Sequence, residues 1–165
     1  MSQFLGLKWK HARYLWVITP AGVIIAYMFL FGIEYYGYSG WLEQYFGNDA
    51  KLQETVKTYQ ETNAVTVRIM IAISAILIAP IAEEIVFRGY IYTAVKRFSG
   101  RLFATVLSSL LFGVVHFNIS ALIPLVFLAL ILALAYELSG SIWAPISIHA
   151  LFNASQLLVQ EINFH

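Results

Sequence analysis

Between Ile69 and Val95 an otherwise apolar stretch holds Glu83, Glu84 and Arg88, in the run Ala82-Glu83-Glu84-Ile85-Val86-Phe87-Arg88-Gly89. An apolar stretch of about 18 or more residues is long enough to cross a bilayer as a helix. Ionisable groups in such a span cost about 2.5–3.5 kcal/mol each on insertion scales, so a paired carboxylate there points to function. Composition agrees with a membrane setting. Hydrophobic residues make up 60% of the chain and charged residues 12%, against roughly 45–50% and 25% in soluble domains. There are no cysteines, which excludes disulfides, thiolate metal sites and a cysteine nucleophile. A net charge of +1 with no basic, aromatic-laced patch gives no reason to expect a nucleic-acid partner.

Five apolar stretches predict an all-α, polytopic bundle of about five spans, with residues 1–165 as one membrane domain and no β-sheet. They run over 14–33, 69–95, 102–117, 121–138 and 142–159, the third being short. The first is too long for a signal-peptide core and opens on Tyr14-Leu15-Trp16, so it reads as retained. Pro80 predicts a kink in the second. Lys8, Lys10 and Arg13 precede span one, and Lys96, Arg97 and Arg101 separate spans two and three. Between spans one and two acidic residues prevail. The positive-inside rule then puts the N-terminus and the 96–101 loop in the cytoplasm, with the C-terminus outside. Residues 34–66 become an extracytoplasmic interfacial segment. Tyr35, Tyr36, Tyr38, Trp41, Tyr45 and Phe46 suit the headgroup layer, and Asp49 is placed to cap a short helix with Leu52, Val56 and Tyr59 on one face.

Few other polar groups lie inside the spans: His116 in the third, His149 and Asn153 in the fifth. At 1.5 Å per residue, Glu83 lies about 20 Å from Lys96, His116 about 22 Å from Arg101 and His149 about 13 Å from Gly140. All three fall in the middle of a core about 30 Å thick, and isolated buried polar groups are costly enough that clustering is expected. Glu84 and Arg88 are spaced i,i+4 and pair on one helix face, leaving Glu83 to face another helix. His149 and Asn153 share a face, as do Phe112 and His116. A water between Glu83 and His116 would have a proton acceptor and an orienting partner. His149 and Asn153 are donors able to hold an oxyanion. The structural alternatives are a bracing Glu84–Arg88 pair, a proton-relay or ion-site Glu83, and His116, His149 and Asn153 as interhelical hydrogen-bond partners.

Other protease chemistries fare worse. Asp49 is the sole aspartate, so an aspartyl dyad is impossible, and no H-E-x-x-H occurs. Ser141 sits at a span boundary and supports only a weak serine–histidine alternative.

Glu83-Glu84-x-x-x-Arg88, Phe112-x-x-x-His116 and His149-x-x-x-Asn153 resemble the three motifs of the CAAX protease and bacteriocin-processing family, also called the Abi family. Phe87-Arg88-Gly89 and Gly140-Ser141-Ile142-Trp143-Ala144-Pro145-Ile146 are similar to that family too. The resemblance covers 69–158 as a protease core. It implies a glutamate-type intramembrane endopeptidase of a bacterial or archaeal cell membrane. Its substrate would be a membrane-anchored or lipidated peptide or protein: a prenylated C-terminal tail, a peptide precursor or a C-terminal sorting signal. By that similarity Glu83 and His116 activate water, His149 and Asn153 form the oxyanion hole, and Glu84 belongs to the catalytic motif. Arg88 and Phe112 give support, and no cofactor is needed. In a zinc-dependent version Glu83, His116 and His149 would be the ligands. The sequence supplies no obvious carboxylate to orient a ligating His, Glu84 being the single exception, which favours the metal-free form. The alternatives in other classes are a non-catalytic immunity or scaffold protein of the same fold and a small proton-coupled transporter using Glu83.

Overall fold

A computed structural model describes residues 14–46, 58–59, 62 and 64–164 of the chain. The described residues form helices and the turns between them, with no strand. The N-terminal cations and the helix expected from Asp49 with Leu52 and Val56 lie outside the described residues.

Helix α1 (Leu15–Tyr35) turns at Gly37 into α2 (Tyr38–Phe46). A long helix, α3, follows over 65–99, and α4 over 101–114. Then come α5 (Ile119–Ser139) and α6 (Trp143–Phe164). Three stretches are long and apolar enough to cross a membrane: Leu15–Tyr35, Val65–Val114 and Ile119–Ser139. The second of these is two helices, α3 and α4, because Gly100 has φ 79° and ψ 174°, a conformation open essentially to glycine alone. Helix α6, at 22 residues, is of spanning length but is not among the three. It carries the His149 and Asn153 amid several Ser and Gln side chains. The all-α membrane bundle read from the sequence is therefore present. The third stretch ends earlier than expected, since α4 stops at Val114 and Phe117 has a left-handed φ of 49°.

Large apolar side chains such as Trp16, Met28, Phe31, Met70, Leu102 and Leu138 point outward, as lipid-facing residues do and soluble ones do not. Inside, two cores form. Val23 and Ala26 of α1, Leu128, Leu132 and Ala135 of α5, and Ile148 and Phe152 of α6 make the first. Phe87 of α3, Phe112 of α4 and Ala129 of α5 make the second. Small residues let the helices approach, and hydroxyl pairs tie them across: Thr19 to Ser147 at 2.7 Å and Tyr27 to Ser155 at 2.8 Å, both from α1 to α6.

Polar clusters mark the two ends. At one, Glu137 of α5 accepts from Tyr92 (2.7 Å) and Lys96 (2.5 Å) and lies 3.5 Å from Arg101. At the other, Glu161 of α6 binds Arg68 of α3 and accepts from Tyr59. The 96–101 turn and the α5–α6 turn thus share one end, and Tyr59 shares the other with the end of α6. Helix α2 meets the first turn of α5. Leu42 is buried, and Tyr38 donates to the Ser120 carbonyl at 3.1 Å. Burial pushes the Tyr38 hydroxyl pKa up.

The helical run of α3 continues unbroken through Pro80. Pro80 is buried within the helix, which widens into a π-helical turn at Ser74–Ile78 just before it and a longer one at Ile85–Tyr92 beyond. Such turns sit where the i→i−4 ladder is interrupted, and they recur at functional sites.

Candidate active site

Glu84 and Arg88 pair as their spacing predicts. Arg88 Nη1 donates to Glu84 Oε1 at 2.9 Å, and both side chains are fully buried. Arg88 is held further by Nη2 on the Ala129 carbonyl at 2.9 Å and by the Phe112 ring 5.0 Å from its guanidinium carbon. The α5 carbonyl was not readable from the sequence, because nothing in an apolar stretch marks one backbone acceptor among many.

His149 completes the cluster. Its Nδ1 lies 3.1 Å from Glu84 Oε1, and its Nε2 lies 3.8 Å from Glu83 Oε2. The first is a hydrogen bond; the second is an electrostatic contact too long to be one. Glu84 is therefore more than a brace for Arg88. Glu84, the single carboxylate that the sequence left available to orient a site His, stands against His149 while also holding Arg88. Donation from both ring nitrogens of His149 at once, to Glu84 from Nδ1 and outward from Nε2, belongs to the imidazolium form alone.

Glu83 differs from its neighbour. Its side chain is 30% exposed against 0% for Glu84. Its Oε2 is buried without a hydrogen-bond partner. It is the member of the pair that faces the open side of the cluster.

His116 lies in the turn just past α4 and is fixed by the last turn of that helix. Its Nδ1 donates to the Phe112 carbonyl at 2.7 Å. A carbonyl only accepts, so Nδ1 carries the hydrogen and Nε2 is left as the basic nitrogen. The Phe112 ring packs against His116 (4.9 Å between centroids), His149 (5.7 Å) and Phe87 (5.0 Å). The structure thus brings Glu83, Glu84, Arg88 and His149 together directly, and joins His116 to them through Phe112. Asn153 stands apart from the charges. Its Nδ2 donates to the Ala75 carbonyl of α3 at 2.8 Å. Ser141 is a turn residue: its Oγ accepts from Trp143 N at 3.4 Å at the start of α6.

Among the described residues no three of His, Asp and Glu group closely enough to hold a metal ion. The zinc set Glu83, His116 and His149 is not assembled in this arrangement.

Residues 65–155 match the family described as Type II CAAX prenyl endopeptidase Rce1-like. The chain belongs to that family. It is 33% identical over 147 residues to a putative membrane peptidase, YdiL, of Bacillus subtilis (strain 168), covering 88% of this chain and 56% of the relative. It is 36% identical over 94 residues to the membrane-embedded CAAX protease MroQ of Staphylococcus aureus (strain USA300), covering 53% of this chain and 38% of the relative. The chain thus spans about half the length, or less, of these curated relatives. No solved structure matches it. The matched segment contains every clustered residue described above, from Ala75 to Asn153.

Proposed function

We propose that this chain is an intramembrane endopeptidase of the glutamate type, cutting a peptide bond of a membrane-anchored or lipidated peptide. The observation that carries the reading is the shared cluster itself. Glu84 anchors Arg88 and His149 at 2.9 and 3.1 Å, while Glu83, beside it, is partly exposed with its Oε2 unbonded. A purely structural ion pair needs neither the second carboxylate nor the histidine at that depth, and each adds insertion cost.

In this reading Glu83 takes a proton from a water that the basic Nε2 of His116 orients. The resulting hydroxide attacks the scissile carbonyl carbon. His149, held by Glu84, donates from Nε2 to the oxyanion that forms. Collapse of the tetrahedral intermediate breaks the C–N bond, and the proton on Glu83 passes to the leaving amine. Two carboxylates with separate duties, one exposed for proton transfer and one buried as an orienter, follow from their two environments. The N-terminus and the 96–101 turn face the cytoplasm, and the C-terminus lies outside. The relatives' names favour tails of CAAX type; a peptide precursor or a C-terminal sorting signal fits the same chemistry.

Co-expression with one tagged substrate of each kind tests the proposal, comparing the wild type with Glu83→Gln. Processing by the wild type alone is the expected result. Equal processing by both proteins would remove the protease reading and favour a scaffold.

A further inference from the structure

Asn153 is bonded to a carbonyl that α3 itself cannot serve. In an α-helical register the Ala75 carbonyl would accept from residue 79, and in a π register from residue 80. The N–H of Ala79 is taken by Ser74. Residue 80 is proline and has no N–H. Both helical donors are therefore closed to Ala75, inside a span where water is scarce and an unmet carbonyl is costly. The amide of Asn153, reaching over from α6, donates to it at 2.8 Å. One turn earlier on α6, His149 meets Glu84 and Glu83. Both contacts join α6 to α3, so together they fix how far α6 has slid along α3 and how it is rotated against it.

We propose that Asn153 is a positioning residue. It satisfies the carbonyl that Pro80 leaves unserved, and by that bond it sets His149 against the two glutamates. The proline and the asparagine are then two halves of one device. Pro80 makes an acceptor available at one point on α3, and Asn153 reads that point. This goes beyond the oxyanion role that the motif resemblance implies, and its activity arm rests on the peptidase reading above.

Four full-length proteins test it: wild type, Asn153→Ala, Pro80→Ala and the double variant, purified in detergent. Two quantities are measured on each, the thermal unfolding midpoint and the rate on whichever tagged substrate the wild type processes. Pro80→Ala restores an N–H at residue 80, within reach of Ala75 in the π register. Asn153→Ala in the native background should lower the midpoint and slow processing by about 10²-fold, the scale of a misplaced catalytic group. In the Pro80→Ala background the same substitution should leave the midpoint nearly still and cost much less activity, a coupling that a double-mutant cycle reads directly. An equal loss of rate in both backgrounds with the midpoint unmoved would overturn the proposal and make Asn153 an oxyanion donor alone. Should Pro80→Ala fail to accumulate, Asn153→Leu decides. Leucine has nearly the shape of asparagine and brings no charge into the span but cannot donate to a carbonyl, so the midpoint falls if Asn153 positions and holds if it does not. The midpoint arms do not depend on proteolysis. A wild type that processes nothing, yet shows the coupled midpoints, would sink the peptidase reading and keep the latch.

Discussion

Glu84 holds His149 through the same oxygen that holds Arg88: Oε1 lies 2.9 Å from Nη1 and 3.1 Å from Nδ1. Two helices, α3 and α6, meet at that oxygen, and Arg88 links them to a third through Nη2 on the Ala129 carbonyl of α5. Removing one partner of a fully buried pair strands a charge and costs about 3–5 kcal/mol. Arg88→Ala and Glu84→Ala should each destabilise by that order, and the double variant by less than their sum, by more than about 1 kcal/mol. Unfolding of the purified proteins in detergent measures this. Strict additivity would mean that the two do not act as a pair.

The adjacent glutamates should separate cleanly. Glu83 is 30% exposed and has one contact at 3.8 Å, whereas Glu84 is fully buried in a network. Glu83→Gln should therefore leave yield and melting nearly unchanged while cutting processing by about 10²–10⁴-fold, the range for a lost general base. Glu84→Gln should lower both, because it strands Arg88 and loosens His149 together. The comparison is melting temperature against processing rate for the two variants. The assignment of roles fails if Glu83→Gln melts as badly as Glu84→Gln.

The site was legible where it depends on residue type and helical spacing. Glu84 and Arg88, four apart, pair in the structure as expected, and the depth arithmetic put Glu83 and His149 both in the middle of the bilayer core. It was illegible where it depends on backbone groups and on departures from α geometry. Ala75 and Ala129 contribute carbonyls, and one alanine among many in an apolar stretch carries no signal. The π-helical turns reset the angular relation between Glu83, Glu84 and the rest of α3, so a 100° rule cannot foretell that Glu84 would reach His149. Pro80 was the available clue: a proline within a span announces a carbonyl in want of a donor, and Asn153 was the amide at hand. The fold was legible from apolar length. The break between α3 and α4 was marked by Arg101 and its neighbours, and its cause is the φ of Gly100.

Gly113 sets how closely α4 approaches α5. A Cβ there would stand 2.6 Å from Val126 Cγ2 and 3.2 Å from the Leu122 carbonyl oxygen. A valine methyl sits on a stiff branch and a backbone oxygen cannot yield, so the helices must part. Gly113→Ala should cost about 1–3 kcal/mol and reduce processing, since neighbouring Phe112 holds His116 and packs on His149. Gly22→Ala is the control. Its Cβ would meet the far methyl of Ile148 at 2.7 Å, with Cγ1 and Cγ2 at 3.0 and 3.1 Å; the shortest approach is to a terminal methyl and no backbone atom is struck, so the loss should be smaller. Thermal melts of both variants rank them, and a harsher Gly22→Ala would contradict the packing argument.

Metal dependence is the remaining test of mechanism. The presence of Glu84 behind His149 removes the argument that a ligating histidine would lack its carboxylate. What favours metal-free chemistry is the arrangement of the groups themselves. Glu83 approaches His149 at 3.8 Å, and the two histidines are linked through the Phe112 ring, so among the described residues the three do not converge on one point. A zinc site needs three protein ligands converging at about 2.0–2.2 Å on one ion. The proposed hydrolysis needs only a base, a water orienter and an oxyanion donor, all supplied by side chains. Activity of the purified protein should therefore survive exhaustive chelation, and its metal content should not track its rate. One tightly bound zinc per chain, with activity lost on its removal and regained with zinc alone, would overturn this. Glu83, His116 and His149 would then become the ligands, with Glu84 the general base.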